Sequence, residues 1–184
     1  QRLSRGLGDV YKRQYSNRPI DLGGYGVTYA YGYDPEGNMF EMEQLDPEPL
    51  AQVEAKLRWI DEGHSMWMTQ VALVTHDIER LTNWYADVMA FMPYRTGDYE
   101  GHPRMAEVAG EPYLSLLASW FRMDSRAKTI ELWQYRDPIT PEPTSKKGVT
   151  DFGYSYSIEV GDIATEVGRM SSLGVEFMLS LIHI

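Results

Sequence analysis

Two glutamates occupy matching surroundings ninety residues apart. Glu41 lies between Phe40 and Met42, and Glu131 between Ile130 and Leu132, within the runs DPEGNMFEMEQ (34–44) and DSRAKTIELWQ (124–134). On a strand, a carboxylate between apolar neighbours projects to the face opposite theirs. There it is either a half-exposed group at a sheet rim or, in a cleft, a base able to take a proton alpha to a carbonyl. Thr129, Glu131 and Trp133 share one strand face by two-residue alternation, so Trp133 lines an apolar pocket beside the carboxylate or belongs to the core. The four histidines do not assemble a site. His76 stands about 20 Å along the chain from Gln70 if the stretch is extended. His64 falls in a linker, His102 in a polar loop after a helix, and His183 in the terminal tail. The sequence contains no nucleophile–base pair, phosphate-cradling glycine loop or zinc-binding helix motif.

The elements that must position these side chains also repeat. QVALVTHDI (70–78) aligns with SYSIEVGDI (155–163), each a short β-rich run ending in Asp-Ile. After Asp77, the residues Ile78, Leu81, Tyr85, Val88 and Met89 recur at helical spacing; after Asp162, so do Ile163, Val167, Met170 and Leu173, with Gly174 as a stop. Asp77 and Asp162 sit where an N-cap belongs. Between the first helix and residue 135 the strand candidates are Arg104–Val108, Tyr113–Phe121 and Thr129–Tyr135. Leu50, Val53, Leu57 and Ile60 predict a linker helix within 47–67, and the Pro-rich stretch 138–149 an irregular connector. The fold class is therefore α+β.

Composition bounds the partners. The chain has 184 residues, a formal net charge of −10 and 43% hydrophobic residues, which describes a folded acidic protein and argues against nucleic acid. No apolar run approaches the roughly 18 residues of a membrane span. The absence of cysteine excludes disulfides and thiolate metal sites and fits a reducing, cytoplasmic setting. The ends, residues 1–14 and 179–184, read as non-native adaptor-like tails of the kind found at the edges of metagenomic reads.

The motifs DPEGNMFEMEQ (34–44), QVALVTHDIERLTNWYADVMAFM (70–92), TIELWQY (129–135) and GYSYSIEVGDI (153–163), in that order, resemble the glyoxalase, bleomycin-resistance and extradiol dioxygenase (vicinal oxygen chelate) superfamily. The resemblance implies repeated β-α-β-β-β modules with curled mixed sheets, truncated at both ends. Residues 15–46 would close a first domain. Residues 68–178 would form a second, with a complete module at 68–136 and a partial one at 151–178. Modules pair around a cleft: 68–136 with 151 onward is the expected pairing, and 15–46 with 68–136 the alternative.

In metal-using members, each module supplies one ligand from its first strand and a glutamate from its last. Carried over, the ligands are Gln70, Glu131 and Glu41, with Ser155 at the other first-strand position. The metal would be Zn, Mn, Fe or Ni. Serine is not a normal ligand, and the two histidines that an extradiol dioxygenase requires are missing from these positions. The resemblance thus implies a metal-assisted lyase, isomerase or dioxygenase acting on a small oxygen-rich molecule, with Glu131 catalytic and Trp133 in the substrate pocket. The alternatives are a metal-free, drug-sequestering type of binding module or a non-catalytic pairing domain. A small molecule is the expected partner, and a homodimer is left open.

Overall fold

Residues 129–133 form a strand buried on both faces, with Ile130 and Leu132 on one and Thr129, Glu131 and Trp133 on the other. The computed structural model describes residues 20–21, 28–44, 68–123, 129–143 and 155–177. Among these, seven strands form two sheets, accompanied by three helices, so the architecture is α+β. Strands β1 (Ile20–Asp21), β2 (Thr28–Tyr33) and β3 (Met39–Gln44) make a three-stranded antiparallel sheet. Strands β4 (Gln70–Val74), β5 (Arg95–Glu100), β6 (Ser115–Arg122) and β7 (Thr129–Asp137) make the larger one, in the order β4-β7-β6-β5. Its β4–β7 pair is parallel and the other two pairs are antiparallel. The helices are α1 (Ile78–Met89), α2 (Pro103–Ala109) and α3 (Ile163–Ser172).

The larger sheet has a core on each face. Ile130 and Leu132 of β7 and Phe121 of β6 pack with Tyr85 of α1, joined by Leu73, Ile78 and Leu81. On the opposite face, Leu116, Ala118 and Trp120 of β6 pack with Ala106 of α2, against Trp133 and Tyr135 of β7. Helix α1 forms where its apolar residues fall on one stripe. Asp77 caps it, accepting from the Arg80 N–H at 3.0 Å. A second cap comes from the sheet: Gln134 Oε1 accepts from the Ile78 N–H at 2.9 Å, tying β7 to the start of α1.

Two expectations need correction. Arg104–Val108 is not a strand but lies within α2. Pro103 opens that helix, His102 Nδ1 accepts from the Met105 N–H at 3.3 Å, and Gly110 closes it at φ 71°. Met105, Ala106, Val108 and Ala109 then face one side at helical rather than alternating spacing. Residues 155–160 are likewise not a strand, because among the described residues no strand runs alongside to satisfy their backbone. Beyond them, α3 is capped by Asp162, which accepts from the Thr165 N–H at 2.7 Å. The Thr165 backbone N–H, and after it the Thr165 side chain, hold the Asp162 carboxyl below its ordinary range.

The segment 155–177 lies against α1. Tyr156 and Tyr85 share a hydrogen bond through their hydroxyls, and Arg169 donates to the carbonyls of Asp87 and Val88 at the end of α1. The expected strands Tyr113–Phe121 and Thr129–Tyr135 appear as β6 and β7, starting two residues later and ending two residues later respectively. The linker helix in 47–67, both adaptor-like tails, His64, His183 and the 124–128 end of the glutamate repeat lie outside the described residues. No helix among the described residues is long and apolar enough to cross a membrane.

Leu132 is wholly buried. Replacing it with Ala is expected to cost about 2–5 kcal/mol in urea unfolding, whereas Asp77→Ala costs about 1 kcal/mol through the lost cap. Equal effects of the two would mean that the core between β7 and α1 does not carry the fold.

Candidate functional site

Glu131 is 5% exposed in the middle of β7, a position that penalises a bare charge. Two indoles meet the cost. The Trp120 N–H donates to Oε1, and the Trp133 N–H donates to Oε2 at 3.0 Å. Trp120 stands opposite Glu131 in the β6–β7 register, and Trp133 follows on the same face, so pairing and pleat alone bring both donors in. Burial nevertheless raises the carboxyl pKa, with the indole hydrogen bonds opposing the rise.

Glu41 reaches the same place from the other sheet. The Asp34 carboxylate organises the β2–β3 turn: Oδ1 accepts from the backbone N–H groups of Glu36 (2.9 Å) and Asn38 (2.8 Å), and Oδ2 from the Asn38 amide (2.8 Å). The Asn38 bonds hold the Asp34 carboxyl below its usual range, and Gly37 supplies the turn's φ of 82°. The resulting register sets Tyr31 opposite Glu41 and Tyr29 opposite Glu43. Tyr31 hydrogen-bonds Glu41, and Gln70, the first residue of β4, donates its amide to Glu41 Oε1 at 3.1 Å. Burial first, then the nearby Glu131 and Glu43 charges, push the Glu41 carboxyl from 4.5 up to about 7. Burial also raises Tyr31 and Tyr29, with the neighbouring carboxylates adding to it, so both stay neutral phenols.

Between the two sheets lies a cavity of about 680 Å³, onto which Glu41, Glu131, Gln70 and Trp133 all face. One wall is a run of rings. Tyr99 meets Trp120 edge-on, Trp120 meets Trp133 at 73°, and Trp133 stacks on Tyr135 at 28°. The Arg95 guanidinium lies over the Trp120 ring, 3.7 Å from its centroid. His102 lines the cavity from the start of α2.

The structure thus gathers every residue singled out for chemistry except Ser155, which is exposed in the irregular segment beside α1. The second wall is the 28–44 hairpin rather than the 155–177 segment. Trp133 lines the cavity and also touches the core cluster around Leu116. His102 is not a solvated loop residue but a helix cap on the cavity wall. Trp120, Tyr29, Tyr31 and Arg95 went unnoticed in the sequence. Alternation from Glu41 and Glu131 onto the partner strands would have found the first three, had the registers been known.

Gln70, Glu41 and Glu131 do not fit a resident transition metal. Both Glu131 oxygens already accept from indoles, and Gln70 points its N–H₂ rather than its oxygen at Glu41. Among the described residues no three His, Cys, Asp or Glu side chains converge.

Compared with protein families, curated proteins and solved structures, the chain finds no match.

With a folded-state pKa near 7 against an ordinary 4.5, Glu41 holds its proton more tightly in the folded chain than in the unfolded one. It therefore burdens stability increasingly as pH rises from 4.5 through 7, and not at all below that window. Glu41→Gln should raise the urea midpoint relative to wild type at pH 8 and leave it unchanged at pH 4. An equal shift at both pH values would mean that Glu41 does not titrate there.

Proposed function

We propose that the chain is a glyoxalase-like small-molecule protein whose cleft takes a flat, partly aromatic molecule without a resident metal. In this reading Glu41 is positioned to exchange a proton with the occupant. The observation that carries it is the cavity itself. Its volume falls in the roughly 300–1,000 Å³ range of small-molecule pockets, its walls are mostly apolar with tyrosine and tryptophan rings among them, and both repeat glutamates face into it. A carboxyl with a pKa near 7 is matched to neutral pH both as acid and as base. Tyr31 and Gln70 hold it in place while burial limits its access to water.

The order of elements supports the family resemblance. Residues 70–137 run strand, helix, strand, strand, strand, with α2 inserted after β5, and β4 pairs with the last strand. The 28–44 hairpin, with its glutamate in an equivalent last-strand position, supports reading it as the end of a like module. These are arguments from architecture, and architecture alone fixes no reaction. The competing reading, a metal-assisted lyase, isomerase or dioxygenase, needs Gln70 to turn its oxygen inward and Glu131 to give up at least one indole.

Tryptophan emission should report occupancy, since Trp120 and Trp133 both border the cavity. Titration of metal-stripped protein with a panel of hydroxylated and carbonyl-bearing aromatics should give saturable quenching. Trp133→Ala should weaken it about tenfold. Quenching that appears only after Zn, Mn, Fe or Ni is added, with stoichiometric metal lost in Glu41→Gln, would replace this proposal with the metal-assisted one. No saturable quenching in either form would sink both.

A further inference from the structure

The charges around the cavity are not balanced. Among the described residues, Glu41, Glu131 and Glu111 border it, against Arg95. Arg95 is already placed: its guanidinium rests on Trp120, the ring whose N–H holds Glu131. The chain therefore seats a planar cation of its own on an aromatic face backed by a buried carboxylate. That combination is favourable for a stated reason. An indole that donates its N–H to an anion gains electron density in its ring, which strengthens the attraction of the π-face for a cation.

Trp133 repeats the arrangement. It donates its N–H to the other oxygen of Glu131, borders the same cavity, and is braced by Tyr135 stacked against it. Glu41 faces the cavity from the 28–44 hairpin, and its nearest partners, Tyr31 and Gln70, are neutral hydrogen-bond donors. Among the described residues, two carboxyls thus share a poorly solvated cleft bordered by one exposed arginine, Arg95. A cation entering the cleft would be attracted by both carboxyls and by the polarised ring at once.

From this we infer that the natural occupant is a flat organic cation, such as an amidinium, a guanidinium or a protonated nitrogen heterocycle. It lies on Trp133, with Glu41 and Glu131 as its counter-charges. This rests on the small-molecule reading above and narrows it to one charge class.

Benzamidine, benzamide and benzoate have nearly the same shape and carry positive, no and negative charge, so calorimetric titration with the three isolates charge. Benzamidine should bind about tenfold or more tightly than benzamide, and benzoate most weakly. Glu41→Gln should narrow the gap between benzamidine and benzamide by at least about threefold. Arg95→Ala, a change at an exposed side chain, should tighten benzamidine and weaken benzoate, since it removes a like charge and frees the Trp120 face. Met42→Ala, on the outer face of β3, should change none of the three. Benzamide or benzoate binding as tightly as benzamidine overturns the cation inference but leaves the small-molecule reading standing. The same follows if none of the three binds while the hydroxylated and carbonyl-bearing aromatics do. If neither set binds, both fail. The wild-type comparison needs no variant, so a variant that misfolds does not spare the inference.

Discussion

The burial of Glu131 constrains most of what surrounds it. A carboxylate in the centre of a four-stranded sheet is tolerable only with hydrogen-bond donors on both oxygens, and the sequence supplies them as tryptophans. That choice has a second effect, because each donor arrives with a large ring attached. The two indoles that stabilise the charge are also the wall of the cleft. Replacing either with a smaller donor would satisfy the carboxylate and lose the surface beside it.

From this follows the division of labour across β7. Its alternate residues serve two environments that need different chemistry: Ile130 and Leu132 pack with α1, while Glu131 and Trp133 face the cavity. Gln134 then ties the strand to the first turn of α1. The hairpin of β2 and β3 completes the site using the same alternation. Tyr29, Tyr31 and Glu41 face inward, while Phe40 and Met42 are left exposed on the other side.

Much of this was legible from residue order. The shared pattern around Glu41 and Glu131 identified both carboxyls because a period of two is robust on a strand, and the Asp77 and Asp162 caps marked two helices because their apolar stripes run for three turns. What escaped was either short or relational. Helix α2 spans only seven residues, too few for a period to declare itself, so Arg104–Val108 reads as a strand although Pro103 and Gly110 flank the helix. Trp120 acquires its role only through the β6–β7 register, and Tyr31 only through the β2–β3 register; neither register is written locally. The choice of the second wall was likewise a question of which distant segment pairs with which.

The parallel pairing of β4 with β7 also has a kinetic side. It joins Gln70 to Thr129, so the strands meet only after α1, β5, α2 and β6 have been gathered between them. Closing so long a loop carries its entropy cost before any contact across it repays that cost, which places this pairing late in folding. The antiparallel β5–β6 and β6–β7 contacts are local by comparison and can form first. In that order of pairing Glu131 gains both indoles before β4 docks, because Trp120 and Trp133 lie on β6 and β7. Gln70 and its bond to Glu41 come last. The aromatic wall would thus be assembled before the cleft that it lines is closed.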